Sequence, residues 1–156
     1  MTFGYTEYEL REISQEIVEA NLAKFTEKTN VNPNFLFASH QYEDETKKFI
    51  GNWLKDGFWI TRYRKEFINF KADVIAKGSF KNHPNMNKLV FNFSIGLASI
   101  LGGTFVMLLI ALALVRFVPN YVAILTPICF YAFMTILEFK KVKRRIEKYL
   151  LKESIN

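Results

Sequence analysis

Cysteine and histidine are scarce in this chain of 156 residues, and each shortage excludes a class of chemistry. Cys129 is the only cysteine, so no internal disulfide and no cysteine-built metal centre can form. Metal sites usually draw several His or Cys ligands at set spacing. Here the two histidines, His40 and His83, are far apart, and only His40 lies near a run of carboxylates, Glu43-Asp44-Glu45. No metal and no other cofactor is expected. A Gly-rich phosphate loop, a Ser or Cys nucleophile beside a histidine, and a catalytically spaced His/carboxylate set are all missing. The expectation is a protein without enzymatic activity. The first 20 residues lack a basic start followed by an apolar core, so they do not read as a cleaved leader.

Charge is nearly absent from one long stretch, residues 89–139. Leu89 to Val118 reads LVFNFSIGLASILGGTFVMLLIALALVRFV, with Arg116 as its only charge, and Tyr121 to Leu137 reads YVAILTPICFYAFMTIL with none. A bilayer core of about 30 Å needs roughly 20 apolar residues of helix. The two runs, broken at Pro119-Asn120, predict a transmembrane helical hairpin over 89–139. Basic residues favour the cytoplasmic side of a span. Lys140, Lys141, Lys143, Arg144 and Arg145 follow the second run, against Arg116 alone near the turn. Both termini are therefore expected to be cytoplasmic, in an integral protein of a bacterial inner (plasma) membrane.

Acidic residues are few in the second part of the chain. Residues 1–45 carry a net charge of −6 and residues 46–156 one of +12, which together give the overall +6. Thr6 and Glu9 have capping-box spacing, and Leu10, Ile13, Ile17, Leu22 and Phe25 approximate a 3.6-residue period. This predicts a helix over about 7–28 with an acidic outer face. Further helices are predicted over 46–56 and 58–77, closed at Gly57. The second interleaves aromatics with basic residues. Trp53, Trp59 and Tyr63 are candidate membrane-interface anchors, with Arg116, Tyr121, Lys140, Lys141, Arg144 and Arg145 around the spans. That topological role accounts for the basic and aromatic interleaving, so nucleic acid is not an expected partner. Residues 79–88 read as a polar linker and hinge, and 140–156 as a basic amphipathic tail.

The expected fold is therefore an all-α membrane protein. A small cytoplasmic helical domain (1–78) precedes a linker (79–88), the hairpin (89–139) and the basic tail helix (140–156). Small residues spaced by four let spans approach closely. Ser94, Ala98 and Gly102, with Ser99 and Gly103 one face over, are thus candidates for homo-oligomer contacts. In architecture alone the plan resembles small bacterial and phage membrane proteins of the effector, immunity and superinfection-exclusion kinds. Two functions are open. One is an oligomer acting on membrane permeability or on passage across the bilayer, with the head as sensor or gate. The other is an anchored, non-enzymatic module that recruits a protein through its acidic first helix. The expected partners are the anionic inner leaflet, a second copy and that recruited protein.

Overall fold

Alternation of side chains along six strands, not helical periodicity, governs the head. The computed structural model describes residues 2–9, 15–33, 46–62, 73–83 and 86–152. In chain order it contains β1 (Thr2–Glu9), α1 (Gln15–Phe25), β2 (Thr26–Lys28), β3 (Phe49–Leu54), β4 (Gly57–Arg62), β5 (Val74–His83), β6 (Met86–Ile95), α2 (Leu97–Leu114) and α3 (Asn120–Tyr149). The strands form one six-stranded sheet in the order β1-β6-β5-β4-β3-β2. Only β2 and β3 pair in parallel. The fold is α/β, and the expected all-α architecture is overturned by this mixed sheet.

Each misplaced helix has a physical cause. In β1, Phe3 to Glu9 alternate strictly between exposed and half-buried, so Thr6 and Glu9 belong to a strand and cap no helix. Of the predicted helix over 7–28, residues 15–25 form α1, 7–9 belong to β1 and 26–28 to β2, while 10–14, with Leu10 and Ile13, lie outside the described residues. The predicted helix over 46–56 is β3, whose Phe, Ile and Trp suit a pleated surface. Its end is a two-residue hairpin, Leu54 pairing with Gly57. Gly57 has φ of +147°, and a Cβ there would lie 2.1 Å from the Gly78 carbonyl oxygen. Only glycine fits that position. The predicted helix over 58–77 begins as β4 and ends inside β5, while 63–72, including Tyr63, lie outside the described residues.

Within the supposed linker over 79–88, residues 79–83 and 86–88 are paired strand, and 84–85 lie outside the described residues. β5 and β6 run antiparallel from Val74↔Ile95 to His83↔Met86, which leaves no hinge between head and hairpin. The first span also starts later than predicted. Leu89, Val90 and Phe91 are all buried, and from Phe91 burial alternates, with Asn92 exposed, Phe93 buried and Ser94 half-buried, the period-two signature of a strand. Ser94 is thus a sheet residue paired with Ile75.

One face of the sheet carries α1 and the end of α3. Val18 and Leu22 of α1 and Val142, Ile146 and Leu150 of α3 pack on Phe49, Phe58, Ile60, Val74, Ala76, Leu89, Phe91 and Phe93. The acidic first helix and the basic tail therefore do meet, through apolar side chains. The Asn21 amide closes the joint by donating to the Leu150 and Lys152 carbonyl oxygens at 3.2 and 3.1 Å. That satisfies acceptors that a helix end otherwise leaves open. Tyr8 of β1 donates to Glu147 at 3.0 Å, and burial pushes its phenol well above the usual tyrosine range. On the other face Ile50, Trp59 and Ile75 form a smaller cluster with Val31.

Candidate functional site at the membrane boundary

Two helices are long and apolar enough to cross a membrane, Leu97–Leu114 and Asn120–Tyr149. Their large side chains face outward. Leu101, Phe105, Leu108, Leu112, Phe117, Ile124, Ile128 and Phe133 are all exposed, and 6% of the first span is buried. A core helix of a water-soluble domain would hide such residues, whereas lipid solvates them.

The hairpin joins the sheet without a spacer. Gly96 alone separates β6 from α2, and its N–H donates to the Asp73 carbonyl oxygen at 3.1 Å. Ser99, in the first turn of α2, accepts from the Asp73 N–H and donates to its carboxylate, both at 3.0 Å. Asp73 directly precedes β5. Both long strands of the head are therefore pinned to the first turn of the span. Tyr131 of α3 reaches across and donates to the Ser99 carbonyl oxygen at 3.0 Å. Its ring lies where a side chain on Gly103 would be, 2.5 Å from an added Cβ. Ser99 and Gly103 thus serve the contact between the two helices of one chain.

α3 is a single helix that leaves the apolar zone and enters the head. Glu138, Val142, Ile146 and Leu150 recur every four residues and are fully buried. A four-residue recurrence keeps them on one stripe. The stripe begins with a carboxylate, where the sequence reads as an ordinary interfacial residue. Glu138 is 0% exposed and is gripped by Arg62 at the end of β4, whose side chain is 15% exposed. Arg62 Nε donates to Oε1 at 2.5 Å and Nη2 to Oε2 at 3.0 Å, a two-pronged pair. Next to it Phe139 packs edge-on against Phe93 at 4.8 Å and against Phe3 at 5.8 Å. Arg62, Asp73, Tyr131 and Glu138 make up the boundary site, and none was a candidate from sequence. Asp73 lacks any local motif, and the partners of Arg62 and Tyr131 are distant in the chain.

The remaining candidates scatter. Ala98 is half-buried, and Gly102 is exposed with no atom within 4 Å of an added Cβ. Trp53 stands at the end of β3 remote from Arg62 and from the apolar helices, and Trp59 is buried within the sheet. Arg116 and Tyr121 are exposed at the turn between the spans, and Lys140, Lys141 and Arg144 are exposed just beyond the second. Arg145 is half-buried and donates to the Lys48 carbonyl oxygen at 3.2 Å. Among the described residues no group of three or more His, Cys, Asp or Glu side chains converges as a metal site would require. No protein-family model, no curated protein and no solved structure matches the chain. The chain is thus an α/β sheet domain built directly on a pair of apolar helices.

Proposed function

We propose that the protein is an anchored, non-enzymatic binding module. It sits in a bacterial inner membrane with its sheet and both termini on the cytoplasmic side. Lys140, Lys141, Lys143, Arg144 and Arg145 beyond the second span, against Arg116 at the turn, support that orientation and contact with an anionic leaflet. The observation that carries the anchoring role is the surface of the hairpin. Within the spans its exposed side chains are apolar apart from the isolated Thr104 and Thr126, and Arg116, Asn120 and Tyr121 sit at the turn, so no polar stripe runs along the hairpin to line an aqueous path. The acidic residues exposed to a partner fall in two places, Glu7 and Glu9 on edge strand β1 and Glu16 on α1, with Glu7 held below the usual carboxylate range by the Tyr5 hydroxyl and then by Lys88.

A second reading, an oligomer acting on permeability, draws on the open space over Gly102 and the neighbouring Ala98. One experiment separates the two. Membrane potential is followed after induced expression of the native chain and of a chimera with an unrelated apolar hairpin in place of residues 100–130. In parallel, a photo-crosslinker is placed at Glu9. The anchoring reading expects an unchanged potential and identical crosslinks from both chains. Depolarisation by the native chain that the chimera loses would overturn it.

A further inference from the structure

A cleft of about 270 Å³ opens on the helix-bearing face of the sheet, between α1 and the ends of β2, β3 and β4. β3 runs away from the boundary site, because Phe49 pairs with Arg62 while Trp53 pairs with Phe58. At about 3.3 Å per residue, Trp53 lies roughly 13 Å further from Arg62 along the strand. The cleft therefore opens to the aqueous side, away from the hairpin.

Its lining has a definite chemistry. The floor is bare backbone at buried Gly51, where a Cβ would lie 2.2 Å from the Trp59 carbonyl oxygen. One wall is aromatic. The Trp53 indole stays 44% exposed and meets Phe58 edge-on at 5.8 Å. The opposite wall is Leu22 and Ala23. Thr26 also lines the cleft, and its Oγ1 is buried without a hydrogen-bond partner. Exposed Lys28 stands at the rim, Lys47 donates to the Ala23 and Lys24 carbonyl oxygens beside it, and among the described residues no acidic side chain lines the cleft.

We infer that this cleft binds a small aromatic carboxylate from the aqueous phase. A flat ring fits against the exposed indole face. A carboxylate answers exposed Lys28 at the rim. The volume suits one or two fused rings. Ligand pockets for larger molecules run from about 300 to 1,000 Å³. α1, which walls the cleft, is also the helix whose Asn21 holds the C-terminal end of α3 in the head, so the ligand would sit one residue from the contact between α1 and α3.

The chain carries its own reporters: the Trp53 indole forms the cleft wall, and Trp59 borders the cleft with its backbone while its ring lies on the other face of the sheet, close enough to act as an energy donor. Full-length protein in neutral phosphatidylcholine vesicles is titrated with anthranilate while energy transfer from tryptophan is read, and with anthranilamide as the uncharged isostere. The expected result is saturable transfer from anthranilate, at least fivefold weaker binding of anthranilamide, and at least fivefold weaker anthranilate binding by Lys28→Gln. Trp53→Leu should weaken it as well, with Trp59 left as donor. Lys28 is exposed, so its variant keeps the fold. Non-saturating transfer, or equal affinity for the acid and the amide, would overturn the assignment. So would a Lys28→Gln variant that binds anthranilate as the native chain does.

Discussion

Arg62 and Glu138 illustrate what a single pair of side chains can decide. A buried carboxylate is stabilised only while its charge is matched and its oxygens are hydrogen-bonded. Glu138 is fully buried and receives two donors from one guanidinium, so the pair fixes the height at which α3 passes from apolar surroundings into the head. Arg62→Ala should therefore cost about 3–5 kcal/mol, because the charge stays buried after its partner is gone. The double variant Arg62→Met with Glu138→Leu should recover most of that loss, because it removes both charges and keeps the volume. Urea unfolding of the head in detergent, followed by tryptophan fluorescence, measures both. A double variant as unstable as the single one would mean that the pair has a role beyond matching charge. Neither residue was legible beforehand. They lie 76 positions apart in sequence, and Glu138 next to Lys140 and Lys141 looks like any helix end leaving a membrane.

At the scale of the element, the hairpin was legible and its starting point was not. Residues 97–114 are apolar enough to announce a span from composition alone. The preceding Leu89–Ile95 is also apolar, and it merges with the span into one run because a buried strand and a membrane helix share the same residue types. Asn92 and Ser94, placed two apart between Phe91, Phe93 and Ile95, were the only local sign of a two-residue period. β1 hid in a similar way, since Thr6 and Glu9 satisfy a helix-cap pattern as well as strand alternation. The small residues of α2 now divide by neighbour. Gly103 faces the Tyr131 ring of the same chain, and Gly102 faces open space. Gly103→Leu should push α2 from α3 and lower stability by about 1–3 kcal/mol, the usual cost of overpacking. Gly102→Leu should leave thermal unfolding of the detergent-solubilised chain unchanged. Equal destabilisation by both variants would contradict this division of the two faces.

For the whole molecule, continuity of α3 removes a freedom that a tethered domain would have. The basic residues proposed to set membrane orientation, Lys140, Lys141 and Arg144, lie on the exposed side of the same helix turns whose inner side carries Val142 and Ile146 into the head core. The side of the membrane that holds the basic residues must therefore hold the sheet as well. α2 imposes the same condition independently through Gly96 and the Asp73–Ser99 bonds. Orientation is then one choice for the entire chain, and two reporter positions are enough to read it. In a Cys129→Ala background, single cysteines replace exposed Lys55 in the β3–β4 turn and exposed Asn120 at the start of α3. An impermeant maleimide applied to intact spheroplasts should label Asn120→Cys at once and Lys55→Cys only after permeabilisation. The reverse pattern would put the head outside, against the positive-inside bias. Labelling of both positions in intact spheroplasts would mean that the hairpin does not cross the bilayer, and the anchoring role would fall with it.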